Sequence, residues 1–235
     1  MSKPVVFVSG YTCTGKSTLI NKVRDNYRDS YDVLVLDKSP SSVKWTEDSF
    51  EKVEFKDGSF INFIKSDISA VLAKEGVDNL NLARESNCSL IISDRSILDL
   101  GAYLILKDYL KHTTGMSADT RYFIRDVLVD IVSENSVYLS SIHLFITASG
   151  DKWYNILSNK RSDNQFIKMN SPNRVLNLFF TAYDEMINIL NNEFNCDIRW
   201  IARINNFNGF DNIFPHVISD IDSHIKNCSH VKKIL

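Results

Sequence analysis

From Gly10 to Ser17 the chain reads Gly-Tyr-Thr-Cys-Thr-Gly-Lys-Ser, which fits the pattern G-x-x-x-x-G-K-[ST]. Each part of that pattern has a chemical task. The glycines let the backbone wrap so that successive N–H groups face a chain of phosphates. The ammonium of Lys16 reaches the β- and γ-phosphates, and the hydroxyl of Ser17 suits Mg²⁺. Before the loop comes the short apolar run Val5-Val6-Phe7-Val8. After it, Leu19, Ile20, Val23 and Tyr27 are spaced as one face of a helix. Gly10, Thr12, Cys13, Thr14, Gly15, Lys16, Ser17 and Thr18 therefore read as a cradle for a nucleotide tail at the start of a helix, where partial positive charge favours an anion. The bland alternative is an ordinary strand–turn–helix corner.

Other residues of chemical interest fall where apolar runs end. Asp94 and Arg95 follow Leu90-Ile91-Ile92-Ser93. A carboxylate in that position presents itself to Mg²⁺ directly or through water, and an adjacent guanidinium can hold a phosphate. A helix cap for Asp94 and a sheet-edge salt bridge for Arg95 are the plainer readings. Asp37 ends Val33-Leu34-Val35-Leu36 and is a candidate base for an attacking hydroxyl, or a clamp on a sugar; a surface-turn aspartate is the alternative. The polar stretch 158–170 contains Lys160-Arg161 and has the composition of a lid that closes over a triphosphate, with Arg161 meeting charge in the transition state. A solvated loop would look the same. Asn205 and Asn206 open the loop after the last apolar run and are candidate nucleotide contacts. Trp45, Phe63 and Tyr103 are apolar enough to wall a base pocket, although such residues are more often core.

Five apolar runs must carry these groups: 5–8, 32–37, 89–93, 142–147 and 197–202. Helical patterns separate them. Phe60, Ile64, Ile68, Val71 and Leu72 predict an amphipathic helix that Gly76 should stop, with a shorter helix after Asp78. Residues 97–110 predict another, Ser117 an N-cap, Asp151 a cap, Ser171-Pro172 a helix start, and Asp211 the opening of a C-terminal helix. The stretch 43–58 fits no element clearly. Short apolar strands alternating with helices predict an α/β fold with a parallel sheet covered on both faces. No repeat or linker divides residues 1–235, so one domain with a lid around 158–170 is expected.

With these residues in place, the chain resembles the P-loop kinases of nucleosides and nucleotides, above all the thymidylate kinase and deoxynucleoside kinase group. Gly10 to Ser17 matches their phosphate loop, and Asp94-Arg95-Ser96 is similar to the acidic–arginine pair ending their third strand. Asp37 with Pro40 resembles the end of their second strand, Lys160-Arg161 falls where their lid lies, and Ile201-Ala202 with the polar loop resembles their adenine-holding turn. The resemblance implies a three-layer α/β/α P-loop NTPase fold with a five-stranded parallel sheet in the order 2-3-1-4-5. It also implies ATP and Mg²⁺ as donor and cofactor, and homodimers among relatives. The sequence departs from the group in three ways. Lys38-Ser39 separate Asp37 from Pro40, the loop residues Tyr11-Thr12-Cys13-Thr14 contain no arginine, and Arg84 lies too near the third strand to match the group's usual helical arginine.

Composition narrows the rest. Net charge is −2, so no overall basic field advertises nucleic acid. Local patches at Lys107/Lys111 and Lys226/Lys232/Lys233 keep open a hydroxyl acceptor in a polynucleotide or a modified DNA base. The four cysteines form no C-x-x-C pair and read as reduced thiols in a cytoplasmic protein. The leading expectation is an ATP- and Mg²⁺-dependent kinase acting on a nucleoside or nucleoside monophosphate. Its rival of another class is a nucleotide-triggered switch that phosphorylates nothing.

Overall fold

The computed structural model describes residues 3–36, 44, 46–56, 58–111, 116–134, 141–160, 167–168, 170, 172–195, 198, 200–206 and 209–228. Asp37, Pro40, Trp45 and Arg161, and most of the stretch 158–170, lie outside the described residues.

The central strand is β1 (Val5–Gly10), and Val5, Val6, Phe7 and Val8 are all at most 2% exposed. Burial at consecutive positions needs apolar cover on both faces, as in a parallel sheet sandwiched by helices. Strand β1 pairs in parallel with β5 (Leu90–Asp94) on one side and β6 (Ile142–Thr147) on the other. Strands β2 (Val33–Leu36) and β8 (Trp200–Asn205) complete the order β2-β5-β1-β6-β8. Phe7, Ile91 and Phe145 point into one core, which they share with α3 (Leu98–Lys111) and α7 (Pro172–Phe194). Val6, Val8, Ile92 and Leu144 point into the other, closed by α1 (Lys16–Tyr27) and α8 (Phe214–Asn227).

Three strands beyond the expected five form a second, antiparallel sheet: β3 (Phe50–Glu54), β4 (Phe60–Ile64) and the two-residue β7 (Ile167–Lys168). This corrects the reading of Phe60 and Ile64 as part of a helix. Along β4 burial alternates, with Ile61 and Phe63 inside, and Val53 faces Ile61 across the hairpin. The helix proper, α2 (Ser66–Glu85), buries Ser69, Ala73, Leu80 and Ala83 and leaves Val71 46% exposed. A strand ending just ahead of a helix had supplied the apparent 3.6-residue period.

Gly76 does not stop α2, and no separate helix starts after Asp78. A Cβ at Gly76 would stand 3.2 Å from the Ile97 side chain, so the glycine lets the helix lie close to the turn after β5. Ser117 caps α4 (Ala118–Tyr122) by accepting the Thr120 N–H. The helix widens to π-type bonding over Phe123–Leu128 and resumes as α5 (Val129–Glu134). Asp151 lies within the first turn of α6 (Gly150–Lys160), and the helix is begun instead by Ser149, whose carbonyl accepts the Trp153 N–H. Asp211 precedes the C-terminal helix and pairs with Lys22 at 2.7 Å. Strand β8 runs later than 197–202 and ends at Asn205, which places Asn206 immediately past the sheet edge. No described helix is long and apolar enough to cross a membrane.

Candidate functional site

The loop between β1 and α1 has the conformation its sequence calls for. Gly10 sits at φ 138° and Gly15 at φ 106°, both in territory that side chains disfavour, and Cys13 joins them at φ 64°. Neither glycine has room to change. A Cβ on Gly10 would lie 2.4 Å from the Ile146 carbonyl oxygen of β6, and one on Gly15 would lie 2.5 Å from the Asn206 amide nitrogen.

The loop is braced from behind. Asn206 donates its side-chain N–H to the Thr14 carbonyl at 3.0 Å, and its backbone N–H reaches Thr147 at 2.8 Å. That contact places Asn206 against the loop's own backbone. From the other side, the buried indole of Trp153 on α6 donates to the Thr12 carbonyl at 2.6 Å. Tyr11, 5% exposed, packs edge-on against Trp153 and Phe179 and lies 5.4 Å from Tyr103. Thr14 closes the turn by donating its hydroxyl to the Tyr11 carbonyl.

Lys16 is buried, and its ammonium donates to the carbonyls of Gly10 and Tyr11 at 3.0 and 2.9 Å. Carbonyls hold an ammonium until a stronger acceptor arrives, and phosphate oxygens are such acceptors. Ser17 and Thr18, in the first turn of α1, are exposed.

The expected partners from β5 lie alongside. Asp94 stands in register with Val8, two residues before the loop, and the Arg95 N–H donates to the Val8 carbonyl at 3.0 Å. One carboxylate oxygen of Asp94 is buried and has no hydrogen-bond partner among the described residues. Such an oxygen costs free energy unless a donor or cation meets it. Arg95 itself has φ 85°, a conformation that costs a non-glycine residue about 1–3 kcal/mol. Its guanidinium donates to the Tyr103 hydroxyl at 3.1 Å and lies over that ring. Burial works against the Arg95 charge, but Tyr103, Asp99 and Asp94 outweigh it, so the group stays protonated.

Sequence reasoning missed the carboxylate beneath these pieces. Asp99, 1% exposed, accepts the Ser9 hydroxyl at 2.7 Å, the Ser96 N–H at 2.9 Å and the Gly10 N–H at 3.3 Å. The Tyr183 hydroxyl on α7 donates to Ser9 at 3.1 Å. Burial pushes the Asp99 carboxyl above the usual range, against the pull of Arg95, the Ser96 N–H, Ser9 and Lys16. The available signal was a lone acid one turn into the otherwise apolar stretch 97–106. Of the aromatic candidates, Tyr103 meets Arg95, whereas Phe63 is core. Lys107 and Lys111 both pair with Glu51 of the antiparallel sheet, and Lys107 is 4% exposed.

A further cleft of about 450 Å³ opens beside Glu51, at the starts of α2 and α4, lined by Lys65, Asp67, Asp119 and Tyr122 among others. None of the loop residues or the Asp94–Arg95 turn lines it.

No family model and no curated protein matches the chain. Solved structures do. A deoxyadenosine kinase from M. mycoides with bound dATP has a TM-score of 0.59 at 13% identity, over 93% of this chain and 99% of that one. The same enzyme with dCMP and dCDP bound gives 0.59 at 14% identity, over the same shares. A thymidylate kinase from Candida albicans gives 0.50 at 14% identity, over 100% of this chain and 96% of that one. At these identities the likeness is one of fold.

Proposed function

We propose that the chain is an ATP- and Mg²⁺-dependent kinase that moves the γ-phosphoryl group onto a nucleoside or nucleoside monophosphate. One observation carries the reading. The phosphate loop and the Asp94–Arg95 turn meet at neighbouring strand ends, and there a buried oxygen of Asp94 has no hydrogen-bond partner among the described residues. The fold shared with nucleoside and nucleotide kinases supports the same reading.

The residues fit a magnesium ion: the exposed hydroxyl of Ser17 and the unpartnered oxygen of Asp94 are hard oxygen donors. When bound, the ion neutralises charge on the β- and γ-phosphates. The protein does the rest by position. Loop amides hold the nucleotide tail, and Lys16 exchanges the Gly10 and Tyr11 carbonyls for phosphate oxygens. Arg95 holds the acceptor or its phosphate. Asp37 orients the acceptor hydroxyl and takes its proton, and Arg161 meets charge on the moving group. Asn206 backs the loop through the Thr14 carbonyl, and Asn205 and Asn206 contact the nucleotide. The acceptor oxygen bonds to the γ-phosphorus as the bond to the ADP oxygen breaks, so ADP leaves. A homodimer belongs to the same proposal.

The test is ATP turnover against a panel of nucleosides and nucleoside monophosphates, with Lys16→Ala alongside. Transfer should fall by roughly 10²-fold or more in that variant. Activity that survives it unchanged rejects the mechanism.

A further inference from the structure

The carboxylate of Asp99 has a task that the roles above leave unassigned. It sits at the junction of three segments: the last residues of β1, the turn after β5, and the first turn of α3. Its two oxygens take three donors, from Ser9, Gly10 and Ser96. Two of these lie at the mouth of the phosphate loop, and the third follows Arg95 directly. Tyr183 fixes the Ser9 hydroxyl from α7, which leaves that hydroxyl one direction in which to donate. On its other flank Gly10 stands in register with Ile146 of β6, whose carbonyl oxygen would lie 2.4 Å from an added Cβ.

A negative charge is an odd choice here on electrostatic grounds alone. The site beside it is expected to receive the most highly charged part of the substrate, and like charges repel. A buried carboxylate is also costly unless donors satisfy it. What only a carboxylate supplies in so small a space is acceptor capacity for three converging donors without a donor of its own. A neutral amide of the same shape must turn an N–H₂ toward either Gly10 or the Ser9–Ser96 pair.

We infer that Asp99 is a positioning residue that locks the phosphate loop to the Asp94–Arg95 turn, so that Lys16 faces the phosphates and Asp94 the magnesium ion they carry. The inference deepens the kinase reading and rests on it for its catalytic part. Asp99 touches neither substrate nor reacting atoms. Its effect passes through Gly10 and Ser9 to the loop, and through Ser96 to the turn.

The sign of one measurement separates positioning from charge. Calorimetric titration with a non-hydrolysable ATP analogue is run on the wild type, Asp99→Asn and Ser9→Ala, at a temperature where circular dichroism shows each folded. If Asp99 acted only as a nearby negative charge, Asp99→Asn would bind the nucleotide more tightly. The lock predicts the reverse: affinity falls about tenfold, and kcat about 100-fold, because a displacement near 1 Å is enough to cost that factor. Ser9→Ala keeps the charge and loses one donor, so affinity should fall about threefold; it serves as the test should Asp99→Asn fail to fold. Unchanged or tighter binding in Asp99→Asn, or unchanged binding in Ser9→Ala, overturns the inference and leaves the kinase reading standing. Wild-type protein that binds the analogue but phosphorylates no acceptor overturns the kinase reading, while weaker binding by the variants still supports the lock. Wild-type protein that binds no nucleotide overturns both.

Discussion

Gly10→Ala is the sharpest perturbation of the loop, because its cost can be worked from two separate sources. The first is conformational: at φ 138° an L side chain is strained by about 1–3 kcal/mol. The second is steric. The new methyl would lie 2.4 Å from the Ile146 carbonyl oxygen and 3.3 Å from its carbon. Both atoms belong to the backbone of β6, which is paired with β1 on one side and β8 on the other and cannot retreat like a side chain. Forcing a methyl into such a space costs about another 1–3 kcal/mol. The total, about 2–6 kcal/mol, is a large share of a typical domain's 5–15 kcal/mol. For a chain of this size each kcal/mol is worth about 2–4 °C, so the melting point should drop by roughly 4–24 °C. The chain relieves the clash by moving the loop, so nucleotide should no longer raise the melting point. Thermal melts with and without an ATP analogue read both effects. A variant melting within 2 °C of the parent, with its nucleotide shift intact, would refute the argument.

Two further outcomes follow from contacts away from the loop's glycines. Trp153→Phe removes the N–H donated to Thr12 and leaves a small void, at a cost of about 1–3 kcal/mol, and should weaken nucleotide binding because the Thr12 carbonyl loses its tether; equal stability and equal affinity by melting and titration would contradict this. Burial raises the Glu51 carboxyl, but Lys111 and Lys107 outweigh it and hold the group below the usual glutamate range. A depressed folded-state pKa means the pair stabilises the hairpin at neutral pH, and that this contribution is lost as pH falls through the lowered value. Urea unfolding of wild type and Glu51→Gln should therefore differ at pH 7 and converge only once pH has fallen through the lowered folded-state value, and a gap that widens on acidification would be the wrong sign.

Eight contiguous residues were enough to mark the loop between β1 and α1 that is proposed to hold phosphates. The torsions of Gly10 and Gly15, at φ 138° and 106°, are ones that glycine adopts readily, so the residue types alone point to the turn. The alternation of apolar runs with helical patterns likewise carried the α/β layering and placed Asp94 and Arg95 at a strand's end. Elsewhere the periodicity misled. The four-residue steps from Phe60 to Ile64 to Ile68, which run out of β4 into α2, imitated one helix, and the two residues of β7 are too few to display any period. Gly76 looked like a stop signal only because its neighbour, Ile97, is twenty-one positions away.

The lock around the loop belongs wholly to the tertiary structure. Tyr183 reaches Ser9 across 174 positions, Trp153 reaches Thr12 across 141, and Asp99 joins Ser9 across 90. No propensity or spacing encodes such pairs, since each exists only once β1 has been seated between β5 and β6 and the helices have closed over that seam. Which residues are proposed to bind a phosphate chain was written locally. What holds them in place was decided by which strand ends came to lie side by side.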